Sequence, residues 1–180
     1  MPKEKELNEL LIENGILLIT SGACAKSPTD IIFALMTYEL KDPTKEIKLY
    51  ISSTCDEPTN MLAIYDTLKA IKNPISATCV GLVSNYGALL LSAANKGRRF
   101  ALKHSQFSLR EPYGYLGSGA NQQTEVAILA KETSTLRRDF EELFSKETGQ
   151  PVEKIHEDLH NGLSLNAEEA KAYGIIDEVI

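Results

Sequence analysis

Hydrophobic positions along the chain change period repeatedly, and the changes mark a succession of strands and helices. Gly15–Thr20 (GILLIT) is a short apolar run closed by Ser21-Gly22, the pattern of a buried strand. Ser27-Pro28-Thr29-Asp30 opens a helix: Ser27 is a capping residue, Pro28 suits the first helical position, and Asp30 favours the first turn. Ile31, Leu35 and Tyr38 carry the helix to about Leu40, where Lys41-Asp42-Pro43 stops it. Glu46–Ser52 alternates as a strand, and Thr59–Ile71 repeats Met61, Ile64, Tyr65, Leu68 and Ile71 on one helical face. Ile75–Val80 predicts a third strand, after which Gly81–Asn85 turns into a helix rich in Ala and Leu.

The second half continues in the same manner. Arg99–Leu102 and Gln106–Arg110 predict strands, and the Gly-bearing stretch Glu111–Gln123 predicts a loop. Thr124–Lys146 is the longest helix, with Val126, Leu129, Leu136, Phe140, Leu143 and Phe144 spaced for burial. Pro151 opens another helix, Asn166-Ala167-Glu168-Glu169 is a capping box for a short one, and Ile175–Ile180 closes as a strand. Strands alternating with helices imply an α/β fold of βαβ units. No internal repeat or linker interrupts the pattern.

Composition narrows the class. The 180 residues are 43% hydrophobic and 24% charged, which suits one globular domain and excludes a disordered or collagen-like chain. No apolar run approaches the roughly 20 residues of a membrane helix. The acidic, polar start is unlike a secretory signal, so a soluble, cytoplasmic protein is expected. A net charge of -6 gives no footprint for nucleic acid. Cys24, Cys55 and Cys79 lack paired or CxxC spacing, so neither a disulfide framework nor a zinc site is expected, and no cofactor is indicated. Cys24 and Cys79 read as core residues. His156 and His160 share a helix at metal-binding spacing, yet no third ligand accompanies them, and surface histidines are the plainer reading.

Longer sequence words say more. Ala63-Ile64-Tyr65-Asp66-Thr67, Lys96-Gly97-Arg98-Arg99-Phe100-Ala101-Leu102, Thr148-Gly149-Gln150-Pro151 and Ala167–Asp177 (AEEAKAYGIID) occur in order and register over about Leu10–Ile180. In these words the chain resembles the proteolytic subunit of the Clp protease, the ClpP family of serine peptidases. The resemblance implies the ClpP/crotonase-type fold of stacked βαβ units. It also implies a head over about 10–110 and 150–180, and a protruding handle loop and helix over about 111–148 that interlocks two heptameric rings into a tetradecamer. An AAA+ unfoldase and homo- or hetero-oligomeric ring partners, including an active ClpP paralogue, are implied as well.

The positions that match the family's active site have changed. Asn85 stands where the resemblance places the serine nucleophile, Arg110 where it places the histidine, and Gly162 where it places the aspartate. The former oxyanion positions are Cys55, followed by Asp56, and Tyr86. A triad needs a hydroxyl or thiol, a base to take its proton and a carboxylate to orient that base. A carboxamide is no nucleophile, a guanidinium with a pKa above ~12 is no base, and glycine has no side chain. Asn85 would serve instead as a helix cap, and Arg110 is expected to pair with Asp56 or Glu57. The resemblance also implies shortened axial loops, a Glu111–Gln123 loop roughly three residues longer than usual, and His160-Asn161 in place of an acidic-basic pair. The leading expectation is a non-catalytic, ClpR-like subunit, a pseudoenzyme. The alternatives are a serine-type peptidase with rewired residues, for which Ser84 or Cys55 would be the nucleophile, or a crotonase-like acyl-CoA enzyme.

Overall fold

A computed structural model of the chain describes residues 4–22, 28–54, 57–111 and 122–180. The expectations for Cys24, Ser27, Cys55, Asp56 and most of the Glu111–Gln123 loop therefore lie outside the described residues. In chain order the elements are α1 (Glu4–Glu13), β1 (Ile16–Thr20), α2 (Thr29–Lys41), β2 (Ile47–Ser53), α3 (Pro58–Ala70), β3 (Ile75–Ser84) and α4 (Asn85–Ser92). They continue with β4 (Arg99–Ala101), β5 (Gln106–Leu109), α5 (Gln123–Thr148), α6 (Val152–Asn161), β6 (Leu163–Asn166), α7 (Ala167–Tyr173) and β7 (Glu178–Val179).

The strands form one seven-stranded sheet. Its main path runs β1-β2-β3-β4-β7, all parallel, while β5 pairs parallel with β3 and antiparallel with β6. Strand β3 is what joins the two arms. Its first half pairs with β2 and β4, and its last three residues, Leu82–Ser84, pair with Gln106–Ser108 of β5. Between the halves Gly81 takes a φ of 86°, and the register against β2 jumps from Ile51↔Cys79 to Ser53↔Val83. Only glycine adopts that angle without strain, so the glycine expected to end the strand instead bends it.

Alternation in β2 buries Ile47, Leu49, Ile51 and Ser53 beneath the helices. Helix α3 adds Met61, Ile64, Tyr65 and Leu68 from the predicted face. All eight residues of α4 are buried, the condition of a helix apolar on every side. Helix α5 behaves differently. Phe140, Glu141, Phe144 and Glu147 near its C-terminal end are buried, but Val126 is 41% exposed and Ile128 59%. The expected burial of Val126 is thus corrected: the first turns of the helix lie away from the core that its C-terminal end enters.

Two of the shared words turn out to fasten one another. Asp177 accepts hydrogen bonds from the amides of Gly97 (2.7 Å) and Arg99 (3.0 Å), and from Arg99 Nε (2.9 Å). Arg99 also donates to the Gly174 carbonyl at 2.8 Å. Burial alone would raise the Asp177 carboxyl, but the Arg99 hydrogen bonds and charge outweigh it and hold the group below the usual carboxylate range. The capping box of α7 forms as expected, with Asn166 Oδ1 accepting from Glu169 N–H and Glu169 Oε2 accepting from Asn166 N–H. Helix α2 begins one residue later than read, with Pro28 at its N-cap. No helix among the described residues is long and apolar enough to cross a membrane.

Candidate functional site

Three register relationships bring the candidate positions together. The β3·β5 pairing ends at Ser84↔Ser108, so Asn85 emerges beside the end of β5. The β5·β6 pairing runs to Leu109↔Leu163, so the next residues outward are Arg110 and Gly162. Asn85, Arg110 and Gly162 therefore share one end of the bent sheet, where β3 turns sharply into α4.

Asn85 is the best-defined of the three. It is 5% exposed, and its Oδ1 accepts a hydrogen bond from the Arg110 backbone N–H at 2.9 Å. The expected capping role is corrected: Ser84 is the N-cap of α4, and the Asn85 carboxamide reaches across to β5 instead. Ser84 Oγ is buried and has no hydrogen-bond partner among the described residues. Tyr86 turns its ring into the core, edge-on to Phe140 at 5.2 Å and 72°. Gly87 follows at the closest approach of α4 to β2, where an added Cβ would meet the Ser53 carbonyl oxygen at 2.8 Å. That contact leaves room for no side chain.

Arg110 projects its side chain outward, with Nε 3.4 Å from Ser108 Oγ. The expected pair with Glu57 does not form. Glu57 is exposed and makes no ion pair with Arg110, and among the described residues no carboxylate lies within ion-pair distance of the guanidinium. Gly162 is exposed at the end of α6, with φ 74° and ψ 91°, and its amide donates to the Leu159 carbonyl at 3.3 Å. A side chain at that angle would be strained.

A model of the Clp protease family matches residues 3–180. The chain belongs to the Clp protease family. The mixed α/β sheet and its helices agree with the ClpP-type fold, and Clp protease family proteins typically form oligomeric rings. Within that family the end of the bent sheet is the natural place to look for chemistry, since the nucleophile, base and orienting positions implied by the resemblance converge there.

What the register brings to this end of the sheet is an asparagine, an arginine and a glycine. None takes a proton from a nucleophile at neutral pH. Cys79 is wholly buried in β3, where burial pushes its thiol up to about 11, in keeping with a core residue. His104 lies on the exposed turn between β4 and β5. Among the described residues no group of three or more His, Cys, Asp or Glu side chains is arranged to hold a metal ion.

One cluster escaped the sequence reading. His156 and His160 do face outward, but each meets a carboxylate: His156 Nδ1 lies 3.0 Å from Glu141 Oε1, and His160 Nδ1 lies 3.1 Å from Glu111 Oε1. Arg137 reaches both carboxylates. The signal was present in two spacings of four, Arg137/Glu141 and His156/His160, on successive helices. Nothing in the sequence alone set those two faces against each other.

Proposed function

We propose that this chain is a non-catalytic subunit of a Clp-type ATP-dependent protease, a pseudo-protease of the ClpR kind. Its role is architectural and regulatory. It takes a place in heptameric rings, alone or with an active ClpP paralogue, and shapes the chamber and the docking of an AAA+ unfoldase. The exposed N-terminal part of α5 acts as the handle between rings, and residues about 10–110 and 150–180 form the head.

The observation that carries this reading is the hydrogen bond from the Arg110 amide to Asn85 Oδ1. It uses the side chain at the nucleophile position to fasten the strand end at the base position, a structural task in place of a chemical one. The rewired-peptidase alternative draws no support from Ser84. Its hydroxyl has no hydrogen-bond partner among the described residues, whereas an activated serine needs a base within about 3.2 Å.

The test is chemical. The purified protein, freed of any active paralogue, is treated with a serine-reactive fluorophosphonate probe and offered a fluorogenic peptide. No covalent labelling and no hydrolysis above buffer are expected. Stoichiometric labelling with turnover that follows this chain through purification would overturn the proposal.

A further inference from the structure

At the end of β3 opposite Asn85, a cleft of about 440 Å³ opens between the C-terminal end of α3, the segment after α4 and the last turn of α5. Lys69, Lys72 and Lys96 line it, together with one carboxylate, Glu147. Two of the ammonium groups are anchored on buried residues. Lys69 Nζ donates to the Ala93 carbonyl at 2.9 Å and pairs with Glu147 Oε1 at 2.7 Å. Lys96 Nζ donates to the main-chain carbonyl of the same Glu147. Ala93 and Glu147 are buried, whereas all three lysines are open to solvent.

Donors and charges both remain in excess. An ammonium group has three N–H donors. Lys69 commits two of them to these partners and Lys96 one, which leaves one donor on Lys69 and two on Lys96. Three ammonium groups face one carboxylate across the cleft, an excess of two positive charges. The neighbouring Arg99 is matched by Asp177. Glu39 accepts from the Lys72 backbone amide at 3.1 Å, and counting its charge still leaves the balance positive. Burial and the Arg99 guanidinium hold the Lys96 ammonium below its ordinary range, with Lys69 adding to the effect and Glu147 and Asp177 opposing it. Cations gathered against their own repulsion favour an anion of more than one charge.

We propose that this cleft binds a small phosphate monoester, its phosphate held by Lys69 and Lys96 and its charge offset further by Lys72. Such a group carries about -1.5 to -2 charges near neutral pH and offers three acceptor oxygens, matching the excess charge and the three remaining donors. A carboxylate offers one charge and two oxygens. Ile71, Pro74 and Ala94 form an apolar wall beside the lysines, against which the organic part of the ester lies. The volume is within the range of small-ligand sites, roughly 300–1,000 Å³. Because the heads of Lys69 and Lys96 are already fixed, binding orders little side chain. The cleft and the Asn85 end of the sheet are separate, so this inference and the pseudo-protease reading stand or fall independently.

Calorimetric titration of the full-length protein with phenyl phosphate tests it, at low ionic strength and about pH 7.5, where the ester is mainly a dianion. Saturable binding at one site per chain is expected, tighter than that of inorganic phosphate, which has nothing to lay against the apolar wall. Lys96→Gln should weaken binding about 5- to 10-fold, the range of a charge-assisted hydrogen bond, and Lys72→Gln about 2- to 5-fold. Lys103→Gln removes the same charge from the exposed turn between β4 and β5 and should change nothing. All three lysines are exposed, so the variants fold, while Lys69 is left in place because its loss would strand the buried Glu147. No saturable binding, inorganic phosphate bound as tightly as phenyl phosphate, an affinity unchanged in Lys96→Gln, or an equal loss in Lys103→Gln would overturn the proposal.

Discussion

What Asn85 does where β3 turns into α4 follows from its own functional group. A carboxamide oxygen is a good acceptor, the Arg110 amide needs one, and the two meet at 2.9 Å. Replacing Asn85 with Ala removes the acceptor and leaves that amide without its partner. We expect a loss of about 1–2 kcal/mol in urea unfolding, and a loss below about 0.5 kcal/mol, typical of an inconsequential surface change, would show that the bond contributes little. Asn85→Ser supplies a hydroxyl but not a base, since a guanidinium has no acceptor site for a proton. Gly162 adds a further barrier, because an orienting carboxylate placed there would sit on a backbone at φ 74°.

The elements show where sequence patterning succeeds and where it stops. The strand β2 and the helices α2 and α3 announce themselves by period, because each has one face against the core, whereas the apolar run of β1 reads as a buried strand and yet leaves Leu18 47% exposed. The strand β3 runs to Ser84 and not Val80, since a glycine inside a strand reads as a terminator until its bend is seen in three dimensions. Two elements went unread. Helix α1 is rich in charge, and its tie to the fold is long-range, the Tyr38 hydroxyl donating to the Ile12 carbonyl. The strand β6 is four residues long, LSLN, and its identity comes from pairing with β5. Along α5 the apolar spacing leads to burial only near its C-terminal end, where Phe140 and Phe144 enter the core. The proposal that Asn85, Arg110 and Gly162 mark the site rests on the family words, whereas the Asn85–Arg110 bond depended on the register of β5 against β3.

Considered as a whole, the molecule is tied across its length by the side chain of Asp177. The bond set of Asp177 joins the word that begins at Lys96 to the one that ends the chain, with Arg99 only 4% exposed beneath it. Asp177→Asn would leave that guanidinium without its counter-charge, and we expect a loss of about 3 kcal/mol in denaturant unfolding at pH 7. Because the folded carboxyl is held low, its contribution is complete above the unfolded value of 3.8 and is lost as pH falls through the lower folded value. The difference between wild type and Asp177→Asn should therefore narrow in acid below pH 3.8. A difference that stays constant down to pH 2 would refute the assignment. Stability of this kind suits the structural subunit proposed above.

The central claim concerns that subunit role, and native mass measurement addresses it most directly. The protein is measured alone and after mixing with an active Clp-family subunit under assembly conditions. The account predicts ring-sized assemblies containing this chain, homomeric or mixed. A chain that remains monomeric in both samples would contradict it.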